Sequence, residues 1–155
     1  MTLHAQVWGR GEPTVVGLHG WNGTAETFVP LTPPRQGSLL AYDLPGFGRS
    51  TAPSKLDVEH IIGPILRDFE ERDAKDLTLI GSCAGSVWAM ELALAAPERV
   101  RRLILVDAFA YVPWYFQVLT LPLLGAFFYW VTFAQPFGRW IANVALASKR
   151  AEETD

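Results

Sequence analysis

The stretch Leu77-Thr78-Leu79-Ile80-Gly81-Ser82-Cys83-Ala84-Gly85-Ser86-Val87-Trp88-Ala89-Met90 constrains this chain more than any other. It opens on an apolar run, Leu77 to Ile80, with the bulk of a buried strand. It closes on Val87 to Ala96, apolar on every side but Glu91, as in a buried helix. Between them, Gly81 and Gly85 stand two residues either side of Cys83. A strand that turns directly into a helix forces its apex residue into strained backbone geometry, and side chains beside the apex would clash. The apex side chain is then exposed above the sheet at a helix N-terminus, whose dipole favours a thiolate. With Ser82 as apex the small position would fall on Ile80, and with Ser86 on Trp88. Neither register fits, so Cys83 takes the apex. A buried structural cysteine is the competing reading of the pentapeptide alone. The strand before it and the helix after it favour the turn.

Two further motifs precede this one. Leu3 to Val7 alternates as a half-buried strand, and Arg10-Gly11-Glu12-Pro13 breaks it. Thr14 to Leu18 has the β-branched, apolar character of a central parallel strand and runs into His19-Gly20-Trp21-Asn22-Gly23. Thr24 is placed to cap a short helix reaching Leu31, before Pro33-Pro34. A third strand, Ser38 to Tyr42, leads into Asp43-Leu44-Pro45-Gly46-Phe47-Gly48-Arg49-Ser50, a tight turn in which Asp43 can accept from local amides. The glycines here fit neither a Gly-Lys-Ser/Thr phosphate loop nor a dinucleotide fingerprint.

In this order the three motifs resemble those of the α/β-hydrolase superfamily: a His-Gly-x loop, an Asp-x-Pro-Gly-x-Gly-x-Ser loop and a nucleophile elbow, usually Gly-x-Ser-x-Gly. The resemblance covers about residues 1 to 110. It implies an α/β fold with a mostly parallel sheet and flanking helices. It makes Cys83 the nucleophile, with Gly81 and Gly85 as the elbow's small residues. It also places the oxyanion-hole donors at the backbone N–H groups of Trp21 and Ala84. His19 and Gly20 are then loop-organising residues, since the family's catalytic base lies far downstream of the nucleophile. Asp107, ending the strand Leu103 to Val106, is a candidate catalytic acid, although most members place the acid after the following strand.

Between the motifs, Asp57 is a plausible N-cap for a helix with Ile61, Ile62, Ile65, Leu66 and Phe69 on one face. Pro64 kinks that helix or marks its start. His60 reads as a half-exposed surface residue. Pro97 ends the elbow helix, Arg99 to Arg102 forms a basic turn, and Leu103 to Val106 is expected to be buried. The core is therefore expected over residues 1–108, with residues 109–155 beginning an apolar helical cap or lid.

From Ala108 to Gly138 there is no charged residue, and 12 of the 19 aromatic residues fall between Phe109 and Trp140. A lid with an apolar inner face accounts for this composition and suits an apolar acyl chain or ring as substrate. The alternative is a membrane span over 114–134, against which stand Pro122 and Gly125 at its middle. A net charge of −3 with no run of Lys or Arg gives no sign of nucleic acid as partner. A single cysteine excludes an internal disulfide, and no Cys/His group has zinc spacing. No cofactor or metal is expected. The N-terminus lacks an apolar signal core, so export is unsupported and a cytoplasmic protein is expected, with a membrane-associated one as the alternative.

The resemblance implies hydrolysis of an ester, thioester or lactone. The alternatives are acyl transfer to another hydroxyl, as in polyester synthases, and a non-catalytic membrane-associated fragment. The Asp-nucleophile branches, dehalogenases and epoxide hydrolases, are set aside by the residue at the apex. His4, His19 and His60 all precede Cys83, whereas the family's catalytic histidine follows the last strand. The expectation is therefore an N-terminal portion of a longer hydrolase, with an exposed sheet edge, poor solubility and no steady turnover alone.

Overall fold

The computed structural model describes residues 2–31, 36–108 and 121–133. The chain divides into two compact units, Met1–Phe109 and Ala110–Asp155. The first holds a five-stranded sheet in the order β1-β3-β2-β4-β5. Its strands are β1 (His4–Arg10), β2 (Pro13–Leu18), β3 (Gly37–Asp43), β4 (Leu77–Ser82) and β5 (Val100–Val106). Only β1 runs antiparallel, pairing His4 with Asp43 on β3. The other pairings are parallel, with Leu18 opposite Gly81 and Ser82 opposite Val106. The C-terminal ends of β2, β4 and β5 therefore lie side by side. In an open parallel sheet, that edge is where ligands bind.

Two helices return the chain between strands: α1 (Val58–Glu71) and α2 (Ala84–Ala95). Asp57 caps α1 by accepting the amide of His60 at 2.9 Å. The inner face of α1, including Ile61, Ile65 and Phe69, packs with Leu40, Tyr42, Leu77 and Leu79 from the sheet and Leu92 from α2. Burying each such side chain contributes about 1.5–3 kcal/mol. The Tyr42 hydroxyl donates to Asp68 at 2.5 Å, joining β3 to α1, and Arg72 donates to the same carboxylate oxygen at 2.7 Å. Burial, with that carboxylate beside it, pushes the Tyr42 phenol well above its ordinary value.

Several local expectations change. The short helix after Thr24 is a single 3₁₀ turn, Ala25–Phe28. Pro64 does not mark the start of α1 but lies within it. The basic stretch is not a separate turn, because Val100, Arg101 and Arg102 already belong to β5. The expected burial of Leu103 to Val106 is corrected: their exposures are 38%, 46%, 37% and 45%. The physical reason is position. β5 pairs only with β4 and forms an edge of the sheet among the described residues. Its apolar character is that of a strand interior, placed on an open edge.

In the second unit, α3 spans Pro122–Phe133. Proline suits this first position, where no helical N–H bond is lost. The rest of the expected lid or span lies outside the described residues. Among the described residues, no helix is long and apolar enough to cross a membrane.

Candidate active site

Cys83 sits between β4 and α2 with φ 53° and ψ −119°, a conformation costly for any residue with a side chain. The glycines around it show why the turn can close. A Cβ on Gly81 would stand 2.5 Å from the Ser86 Cα, and one on Gly85 would collide with the carbonyl oxygen of Leu18. A Cβ on Gly20 would meet the Cys83 Cβ at 2.9 Å and stand 3.7 Å from Sγ. The loop after β2 is thus seated directly against the apex. Cys83 itself is half-buried and free.

The turn is held by its own backbone. The Cys83 amide donates to the Val106 carbonyl at 2.8 Å, and the Ser86 amide donates to the Cys83 carbonyl at 3.0 Å. The Ser86 hydroxyl is buried and donates to the Gly81 carbonyl at 2.9 Å. Ser86 is therefore committed to bracing the turn. Sequence reasoning missed this role; its signal was a serine directly after the second glycine, where a buried hydroxyl can return to the strand.

The amides of Trp21 and Ala84 make no hydrogen bond among the described residues. Ala84 is the first residue of α2, where an N–H has no helical acceptor. Trp21 follows Gly20 in a turn closed by the Gly23 amide donating to the Gly20 carbonyl at 3.1 Å. Both amides are unpaired donors, one next to Cys83 in the chain and the other in the loop seated against it. The Trp21 side chain is 60% exposed.

His19 is fully buried and engaged at both ring nitrogens. Nε2 accepts the Leu44 amide at 2.9 Å, so Nδ1 carries the proton and donates to the Gly20 carbonyl at 2.7 Å. Burial pushes its proton affinity below the ordinary imidazole value, against the opposing pull of the Gly20 carbonyl and the Asp43 charge. A ring with both nitrogens occupied organises the loop; it has no free position for proton transfer.

Asp43 ties the surrounding loops together. Its carboxylate accepts from the Ala25 amide at 2.7 Å, the Arg49 amide at 2.8 Å and the His4 ring at 3.0 Å. Burial alone would raise this carboxyl, but those donors together hold it below the usual carboxylate range. The local part of this pattern was expected. His4 and Ala25, distant in sequence, were not.

Asp107 directly follows Val106, whose carbonyl holds the Cys83 amide, and has φ 52°. Its carboxylate is exposed and holds no hydrogen bond among the described residues. The fold therefore brings Cys83, Trp21, Ala84, His19, Gly20, Gly81 and Gly85 to one strand-end cluster, with Asp107 on its β5 side. His4 and His60 are paired elsewhere, with Asp43 and Asp57.

Residues 13–153 match the family model described as alpha/beta hydrolase fold. A haloalkane dehalogenase of Mycolicibacterium paratuberculosis is 30% identical over 141 residues, covering 84% of this chain and 45% of that protein. The pimeloyl-acyl-carrier-protein methyl ester esterase of Pectobacterium carotovorum is 34% identical over 109 residues, covering 68% of this chain and 40% of that protein. A hydrolase structure from Pseudomonas aeruginosa PA01 superposes with a TM-score of 0.69 at 20% identity, over 92% of this chain and 53% of that one. The chain thus spans less than half the length of these two curated relatives.

Proposed function

This chain belongs to the α/β-hydrolase fold family, and from that premise we propose that Cys83 is an acyl-accepting nucleophile acting on an ester, thioester or lactone. One observation supports the reading: a half-buried thiol at a positive-φ apex, next to the unpaired Ala84 amide and against the loop that carries the unpaired Trp21 amide. The Cys83 thiol gives its proton to solvent, and the sulfur attacks the carbonyl carbon, forming the S–C bond as the carbonyl π pair moves onto oxygen. The Trp21 and Ala84 amides stabilise that oxyanion. Collapse restores the carbonyl, expels the alkoxide or thiolate and leaves a thioester on Cys83. Water then attacks the thioester and releases the acid, or a hydroxyl acceptor takes the acyl group instead.

Deacylation needs a base to take the proton from water, and none of the three histidines is placed for it. His19 is saturated, His4 faces Asp43 and His60 faces Asp57. The half-reaction assigned to these residues is therefore acylation. An activated ester suits this site best, since a phenolate leaves without being protonated. Related proteins include a methyl ester esterase and a dehalogenase; a thiol apex fits acyl chemistry of the first kind.

The experiment is intact-mass analysis after incubation with p-nitrophenyl acetate, with phenolate release followed in parallel. The expected result is one acetyl group on Cys83, a stoichiometric burst, and neither in Cys83→Ala. Acetylation spread over lysines, with Cys83 unmodified, would overturn the proposal.

A further inference from the structure

A cleft of about 480 Å³, apart from the thiol, lies between the loop at Thr51 to Ser54 and α1, where His60, Pro64 and Arg67 line it. None of the residues assigned to the thiol site takes part in it. His60, Pro64 and Arg67 fall at i, i+4 and i+7, so one helix face supplies that wall.

Three observations distinguish this face from an ordinary solvated one. First, Gly63 and Pro64, the two poorest helix formers, occur side by side within α1. A Cβ on Gly63 would meet only the Arg67 Nη1, at 3.7 Å. Packing thus does not demand glycine there, and the Arg67 guanidinium lies back beside the Gly63 backbone. Pro64 has no N–H for the His60 carbonyl four residues earlier, which loosens the helix at the same place. Second, Arg67 makes no ion pair or hydrogen bond among the described residues, although Glu59 lines the same cleft. Third, His60 is oriented. Its Nδ1 lies 2.6 Å from Asp57 Oδ1, leaving Nε2 as its free nitrogen.

We propose that this cleft binds a small organic anion, with a carboxylate or phosphate group seated between the Arg67 guanidinium and Nε2 of His60. The guanidinium offers a planar pair of donors. With Asp57 accepting from Nδ1–H, a proton on Nε2 makes the ring a second donor to the anion. The Ser54 hydroxyl, on the facing loop, supplies a further donor. Glu59 in the same lining disfavours extended polyanions and restricts the ligand to a small one. The volume accommodates a metabolite-sized molecule.

The test is a ¹H–¹⁵N correlation titration of the full chain with inorganic phosphate and, separately, with acetate, sodium chloride holding the ionic strength constant. The expected result is saturable shifts confined to residues 51–54 and 59–67, weakened about tenfold in Arg67→Gln and in His60→Gln. Both side chains are on the surface, so both variants should keep the wild-type spectrum elsewhere. Saturation by phosphate or by acetate identifies which anion the site prefers. Linear drift without saturation, shifts unchanged in Arg67→Gln, or shifts centred on Trp21 and Ala84 would each overturn the proposal.

Discussion

The amide of Cys83 and the hydroxyl of Ser86 converge on the Val106 carbonyl, at 2.8 and 3.3 Å. A single oxygen at the end of β5 thus holds both the apex of the turn and the first turn of α2. Ser86→Ala removes the 2.9 Å bond to Gly81 and leaves a buried carbonyl short of a donor. The expected loss of stability is about 1–2 kcal/mol, read from the urea midpoint. Iodoacetamide should also label Cys83 faster in the native variant than in wild type, because the apex is less firmly held. Unchanged stability and unchanged labelling would mean that the backbone bonds alone brace the turn.

Gly85 is the least replaceable glycine of the elbow. Its missing side chain faces the Leu18 carbonyl, a backbone atom of the neighbouring central strand. Neither β2 nor α2 can shift without breaking the parallel register of Leu18 with Gly81. Gly85→Ala should cost more than about 3 kcal/mol or abolish folding. Circular dichroism and urea unfolding decide it. A variant within 1 kcal/mol of wild type, on the ordinary scale of surface changes, would show that the turn is looser than its contacts imply.

His19 gives the fold a pH dependence of definite sign. Burial keeps the folded ring neutral, with its proton affinity below the ordinary 6.5. An unfolded histidine takes up a proton near that pH while the folded one does not. The unfolded state therefore binds more protons, and stability falls as pH drops below about 6.5 until the folded ring itself titrates. His19→Gln should lose about 2–3 kcal/mol at neutral pH, from two buried bonds to Leu44 and Gly20. Its stability should also change less than that of wild type between pH 7 and pH 5.5. Parallel slopes for the two proteins would assign the dependence to other groups.

What could be read in the sequence was local. Gly81, Cys83 and Gly85 encode a turn within five residues, and His19-Gly20 and Asp43 to Ser50 encode loops of similar span. Such constraints act on neighbouring backbone, so spacing alone carries them. The Asp43 cluster was half visible, because Arg49 lies close in sequence whereas His4 is 39 residues away. Burial of β5 was misjudged for a related reason. Leu103 to Val106 have the composition of an interior strand, but exposure depends on what pairs beside them. Pro64 was read only as a kink or the start of its helix, and Gly63 beside it was not singled out. Its link to Arg67 and the 51–54 loop exists only once α1 is placed against that loop.

The same substitution has opposite effects at two other glycines. Gly48 has φ 53°, and a Cβ there would collide with the Asp43 carboxylate, whose bonds hold Ala25, Arg49 and His4 in place. Gly48→Ala is therefore strained twice and should lose about 2–3 kcal/mol. Gly63 is an ordinary helical residue of α1, and its new Cβ would make a normal 3.7 Å contact with Arg67. Alanine there restricts the unfolded chain and favours the helix, so Gly63→Ala should gain about 0.5–1 kcal/mol. Urea denaturation at neutral pH, with the slope unchanged, measures both. A gain at Gly63 means that the packing of α1 does not require glycine there. A loss would show that α1 needs the glycine for its own packing, and would remove one of the three reasons for reading a binding site on that face.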